Sequence, residues 1–176
     1  MDSREHQVSL RALHERDAEV IAAWGADMQF CRKAGWSIGM SLAERQQAKR
    51  RLVLAPPKNL IRLGAVLDGD LVGYVDLHRD EPDRRELGFV IGERARWGLG
   101  IGHLAAAAAL DYAFDHLGLG HVWAEALEAN QRSVRILQRL GMVETGLGGH
   151  DLYLDQPSRY RRFSIAAEDW PGSRAS

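Results

Sequence analysis

The chain has 176 residues, 45% hydrophobic and 27% charged, the length and balance of one globular domain with a full core. Its formal charge of −1 is spread without long single-sign blocks, which argues against nucleic acid or an anionic membrane as the main partner. The longest apolar stretch, Ile101 to Leu110, contains His103 and stops at Asp111, well short of the roughly 18 uninterrupted residues of a membrane span.

Met1 to His6 lead into polar sequence rather than an apolar signal region, and Cys31 is the only cysteine, so a cytoplasmic location is the expectation. Val8 to Leu13 alternates as a first strand, and Glu15 to Trp24 places Ala18, Ile21 and Ala22 at helical spacing. Ser41 and Glu44 have the spacing of a capping box, which predicts a helix to about Val53, stopped by Pro56-Pro57. Ile61 to Leu67 and Leu71 to Leu77 flank Asp68-Gly69-Asp70, residues that tolerate the positive φ of a tight hairpin.

After the polar turn Arg79 to Arg84, a strand runs from Glu86 to Ile91, and an alanine-rich helix from Gly100 to Leu117 ends at Gly118 and Gly120. His121 to Leu127 reads as a strand and Asn130 to Leu140 as a helix closed by Gly141. Met142 to Leu147 and Arg159 to Ile165 read as closing strands, with a frayed tail after Trp170. The predicted order is β-α-α-β-β-β-α-β-α-β-β, a mixed α/β sheet without internal repeats or a low-complexity linker.

Gly98, Gly100 and Gly102 alternate where a strand gives way to a helix, so backbone N–H groups converge near the positive end of the helix dipole. Glycine takes positive φ cheaply and lacks the Cβ that would hold a phosphate away from the backbone. Glycines there are also ordinary punctuation, so the rest of the motif must decide. A Walker loop needs Lys-Ser or Lys-Thr after its last glycine, where this chain has His103-Leu104. A dinucleotide fingerprint needs a glycine at His103. Coenzyme A is the third candidate, because its pyrophosphate needs such a turn and its pantetheine arm can pair with an opened strand edge.

Three ordered stretches carry a family resemblance: Glu86-Leu87-Gly88-Phe89-Val90-Ile91, the turn Arg96-Trp97-Gly98-Leu99-Gly100-Ile101-Gly102, and Asn130 to Met142. Together they resemble the GNAT acetyltransferases, specifically their RimJ/RimL-like branch, along Val8 to Ile165. The resemblance implies an α/β (α+β) fold, with a mixed, mostly antiparallel twisted sheet of about seven strands flanked by about four helices, in one domain with its core at about 8–166. It implies acetyl-CoA as co-substrate, held by Phe89, Val90, Ile91, Arg96, Trp97, Gly98, Leu99, Gly100, Ile101, Gly102, Asn130 and Arg135. Trp97 stands where the broader family places Gln or Arg.

Acetyl transfer needs a neutral amine, a polarised thioester and a stabilised thiolate. Glu86, on the same strand face as Gly88 and Val90, is the candidate general base through water, or else a carboxylate paired with Arg84 or Arg85. Ser133 is the candidate donor to the leaving thiolate, or else only helps begin a helix; many relatives carry a tyrosine acid at the position that is Leu137 here. Asn130 fits an N-cap, and the resemblance adds a bond to the pantetheine arm. Arg132, Arg135 and Arg139 form a stripe, read as solvated apart from Arg135. With no His-x-His and a lone cysteine, no metal is expected.

The acceptor site is expected from Met28 to Leu42 and the closing strands, with Trp36 either stacking on substrate or packing in the core. The resemblance suggests a protein or peptide N-terminal α-amine. A polyamine would need a more acidic cleft than Asp27, Glu44, Asp80, Glu81 and Asp83 provide, and an antibiotic-like amine or a non-catalytic coenzyme-binding module are the alternatives. A homodimer is a family-based expectation.

Overall fold

Asp68 and Gly69, with φ of 52° and 89°, turn β2 (Leu60–Leu67) back into β3 (Asp70–His78), the mirror-image turn whose twist matches paired strands. The computed structural model describes residues 7–174; the reading of Met1 to His6 lies outside them. β1 (Val8–Ala12) pairs antiparallel with β2, and β4 (Arg84–Ile91) with β3. β5 (His121–Leu127), β6 (Val143–Tyr153) and β7 (Gln156–Ala166) complete a seven-stranded sheet of order β1-β2-β3-β4-β5-β7-β6. β4 and β5 run parallel, while the other neighbours run antiparallel.

Among the described residues, five α-helices flank the sheet: α1 (Asp17–Trp24), α2 (Met28–Ala34), α3 (Leu42–Leu54), α4 (Ile101–Asp111) and α5 (Gln131–Arg139). The capping box of α3 forms as predicted, with Glu44 N–H donating to Ser41 Oγ at 3.2 Å and Ser41 N–H to Glu44 Oε2 at 2.7 Å. α2 is the helix that the sequence reading missed. It is only seven residues long, and its signals are local: Asp27 accepts from the N–H groups of Gln29 and Phe30, and Gly35 closes it at φ 69°.

Two other boundaries differ from expectation. The closing strands extend to a hairpin tip at Leu154-Asp155, both at positive φ, because the turn lacks the glycine that would have announced it. Residues Pro171–Arg174 form a 3₁₀ turn rather than a frayed tail. Among the described residues, no helix is long and apolar enough to cross a membrane.

The alanines of α4 let it lie close on the sheet: Ala105, Ala106 and Ala109 are fully buried with Leu110, against Val75, Leu77, Leu87, Val122 and Phe163. A side chain the size of Leu110 contributes about 1.5–3 kcal/mol when buried in this way. A second cluster, Ile21, Trp24, Phe30, Cys31 and Tyr74, packs α1 and α2 on the opposite face. The sheet is thus covered by α4 on one face and by α1 and α2 on the other, and the site forms where β4 and β5 part.

Candidate active site

β4 and β5 are paired at only three positions, ending at Glu86 opposite Trp123. Beyond Glu86 the strands splay, leaving the β5-facing edge of β4 from Leu87 to Ile91 without a strand partner. An unpaired edge is a ready template for the amides of an extended ligand arm. A cavity of about 690 Å³ opens beside this edge, lined by Phe89, Val90 and Ile91 of β4, by Gly98, Gly100 and Gly102 of the turn, and by Asn130, Ser133 and Arg135 of the α5 amino terminus.

The turn has the backbone that a phosphate cradle needs. Gly98 and Gly100 sit at φ 79° and 83°, and a Cβ at either would meet no protein atom within 4 Å, so the concavity is open. The first bond into α4 runs from Leu104 N–H to Gly100 C=O at 3.1 Å, leaving earlier N–H groups to face an anion at the dipole's positive end. Gly102 has a different reason to be glycine: a Cβ there would stand 3.1 Å from Ile136 Cδ1, where α4 meets α5. Leu99 is exposed and Ile101 is buried in the core, so neither side chain lines the cavity.

Trp97 fixes the turn through its indole N–H, which donates to the Ile91 carbonyl at 2.8 Å. Two cations lie over its ring, Arg132 at 4.8 Å and Lys33 at 5.7 Å from the centroid. Arg96 lines the cavity but faces Asp70 and Glu93 at 3.6 and 3.5 Å.

Arg132, Arg135 and Arg139 are all solvent-exposed, as the stripe reading has them, and all three line the rim of the cavity. With Lys33 and Arg96 they make five cations, and no carboxylate lines the cavity among the described residues. His103, also on the wall, has a buried Nδ1 with no protein partner, and burial together with Arg139 pushes its pKa down. An acid-free cationic cavity with an open glycine cradle fits a coenzyme that carries a pyrophosphate and a further phosphate.

Asn130 caps α5, its Oδ1 accepting from Ser133 N–H at 3.3 Å, and Ser133 is half-buried on the cavity wall. Leu137, where relatives carry tyrosine, is buried in the core and offers no acid. A tyrosine does reach the cavity from elsewhere: Tyr153, at the tip of the β6–β7 hairpin, faces α2, and Asp155 beside it lies 3.6 Å from Arg32. Periodicity gave no hint of this contact, because the hairpin folds across from a distant part of the sequence.

Glu86 does not line the cavity. It sits at the apex of the splay, where Arg79 Nε donates to its Oε2 at 3.2 Å, so its partner is Arg79 rather than Arg84 or Arg85. Across from it on β3 is His78, and the buried Asp76, opposite Gly88, is held by Arg62 at 2.7 and 2.8 Å. Burial pushes the Asp76 pKa up, but the Arg62 and His78 bonds outweigh it and leave the carboxyl below its usual range. Trp36 stands behind the cavity rather than in it, edge-on to Phe30 at 4.9 Å, with the Lys49 ammonium 3.4 Å over its ring. Burial pushes Lys49 down to about 8. No cluster of metal-binding side chains occurs among the described residues.

Residues 7–143 match the acetyltransferase (GNAT) domain family. The Bacillus subtilis (strain 168) protein YdaF, whose name assigns it provisionally to the ribosomal N-acetyltransferases, is 30% identical over 119 residues. That match covers 66% of this chain and 64% of YdaF, so the chain spans just under two thirds of that relative's length. The spermidine N-acetyltransferase of Vibrio cholerae, solved with CoA and spermine, shares the fold at a TM-score of 0.77 and 20% identity, over 93% of this chain and 97% of that one. An aminoglycoside acetyltransferase solved with coenzyme A does so at 0.77 and 19%, over 96% and 100%. With a family match over most of its length, this chain belongs to the GNAT acetyltransferases.

Proposed function

We propose that the protein transfers the acetyl group of acetyl-CoA to a primary amine by direct attack, and that the acceptor is a protein or peptide N-terminal α-amine. The observation that carries the coenzyme half is the cavity itself: Lys33, Arg132, Arg135 and Arg139 face it without a carboxylate among its lining residues, beside glycines whose concavity is open. Four cations without a carboxylate partner among the described residues match the roughly four negative charges of a coenzyme's pyrophosphate and 3′-phosphate.

The splayed edge of β4 receives the pantetheine arm, which brings the thioester toward Gly88 and Glu86. The protein then holds two reactants in line, which alone lowers the barrier by several kcal/mol. In this reading Glu86 draws the ammonium of the acceptor and serves its deprotonation through water. The Ser133 hydroxyl donates to the departing thiolate, a tolerable leaving group because its pKa is about 8.5.

The α-amine preference rests on similarity to YdaF and the RimJ/RimL-like pattern of Asn130 to Met142. Acetyl-CoA-dependent thiol release, screened over amino-terminal peptides, polyamines and aminoglycosides, tests it. Release with the peptides is expected. Release confined to polyamines or aminoglycosides would reassign the acceptor, and coenzyme binding without release across the panel would make the chain a binding module.

A further inference from the structure

His78 stands directly across from Glu86 in the β3–β4 register, and alternation puts both side chains on the sheet face opposite α4. The imidazole is built into a relay. Its Nε2 lies 3.4 Å from Asp76 Oδ2, and Arg62 holds both oxygens of Asp76, from Nε at 2.7 Å and from Nη2 at 2.8 Å. Asp76 keeps 8% of its side chain exposed, whereas His78 keeps 44%. A fixed, buried carboxylate thus orients an imidazole that remains reachable.

The imidazole also lies beside the point where β4 and β5 part, although it does not line the cavity. Gly88 is two residues beyond the last β4–β5 pair, and a Cβ there would stand 3.7 Å from His78 Nε2, so the ring edge lies against the strand just inside the splay. Glu86, by contrast, already shares its carboxylate with Arg79.

We propose that the proton drawn from the acceptor ammonium toward Glu86 through water ends on His78, which Asp76 orients and which faces Glu86, and that Glu86 stabilises the resulting imidazolium. This deepens the acetyltransferase reading and rests on it. With the Nε2–Cδ2 edge turned to Asp76 and Gly88, the lone pair for the proton is on Nδ1, on the side of the ring away from Gly88. Through water the acceptor ammonium gives one proton to Nδ1, and the neutral nitrogen forms a bond to the thioester carbon. As the carbon–sulfur bond breaks, the second proton leaves nitrogen and ends on the thiolate. The charged groups facing His78 are Asp76 on its own strand, Glu86 on β4 and Arg62 on β2. The Asp76 bond raises the imidazole pKa against burial, Asp76 and Glu86 charges add to it, and Arg62 opposes.

The test uses the full chain, acetyl-CoA and a small alkylamine whose own ammonium ionises above about pH 9, so that the acceptor arrives as ammonium throughout the pH range in which an imidazole titrates. For wild type, kcat/KM for the amine is expected to fall on the acid side through a limb above about 6.5 that moves with temperature as an imidazole does. His78→Gln should lower kcat/KM for an ordinary alkylamine about 10²-fold, abolish that limb, and leave the dissociation constant for CoA unchanged. If His78→Gln fails to bind CoA, the wild-type limb decides alone. A temperature-insensitive limb near 4–5 would put the proton on a carboxylate and overturn the proposal. Wild-type activity and limb in His78→Gln would overturn it as well. Absence of thiol release by wild type with every amine, despite CoA binding, would overturn the acetyltransferase reading and this proposal together.

Discussion

The indole N–H of Trp97 donates to the carbonyl of Ile91, the last residue of β4, at 2.8 Å. That bond ties the glycine turn to the strand edge, so the residue acts here by fixing the loop. Trp97→Phe keeps a ring for Arg132 and Lys33 but leaves the carbonyl without its donor, which costs about 1–3 kcal/mol. Calorimetric titration with CoA should show weaker binding by up to that amount; unchanged affinity would mean the turn holds its shape without the bond.

The cations of the cavity should dominate coenzyme affinity. Arg135→Ala and Arg139→Ala are each expected to weaken CoA binding severalfold, and the wild-type dissociation constant should rise steeply from about 0.1 to 1 M salt as the Debye length falls from roughly 10 to 3 Å. Salt-independent binding would be incompatible with a charge-matched cavity.

The three glycines of the turn should separate by mechanism. Ala at Gly98 or Gly100 is forced into left-handed backbone, at about 1–2 kcal/mol, and its methyl enters the open cradle, so both stability and CoA affinity should drop. Gly102→Ala instead presses on Ile136 and should lower the melting temperature with less effect on CoA binding. Equal effects at all three positions, measured by thermal unfolding with and without CoA, would argue against this division.

Glu86→Gln should reduce turnover chiefly near and below neutral pH, where the acceptor is mostly ammonium, and Ser133→Ala should lower kcat more than it changes CoA affinity. Steady-state kinetics over pH 5–9 reads both outcomes. Wild-type turnover in either variant removes the role assigned to that residue.

Asp76 and His78 give stability opposite pH dependences. Because Asp76 titrates below the usual carboxylate range in the folded chain, its contribution is complete above about pH 4 and is lost as pH falls through the folded value. The His78 value is raised, so its contribution is complete below about 6.5 and disappears as pH rises through the folded value. Asp76→Asn leaves the Arg62 guanidinium buried without its counter-charge and should cost about 3–5 kcal/mol in urea unfolding at pH 6.

The sequence by itself determined the elements whose signals are local. Asp68-Gly69 supplied the positive φ of the β2–β3 turn, Ser41 and Glu44 the start of α3, and Gly98 and Gly100 the cradle that leads into α4. Each of these depends on the conformational freedom or capping chemistry of a few neighbouring residues, so it is legible without the rest of the chain. The short helix α2 and the glycine-free tip at Leu154-Asp155 escaped because their signals are weak over so few residues.

Only the tertiary structure decided which side chains meet. Helical periodicity placed Arg132, Arg135 and Arg139 on one stripe, but whether that stripe faces water or a ligand depends on how α5 packs beside the parted strands. Lys33 and Tyr153 are about 120 residues apart in sequence yet line the same cavity. The partner of Glu86 is Arg79, and the Arg62-Asp76-His78 relay spans two strands whose register sets its distances. Such contacts arise from strand pairing and burial between remote segments, and a linear pattern of residue types does not encode them separately from the fold.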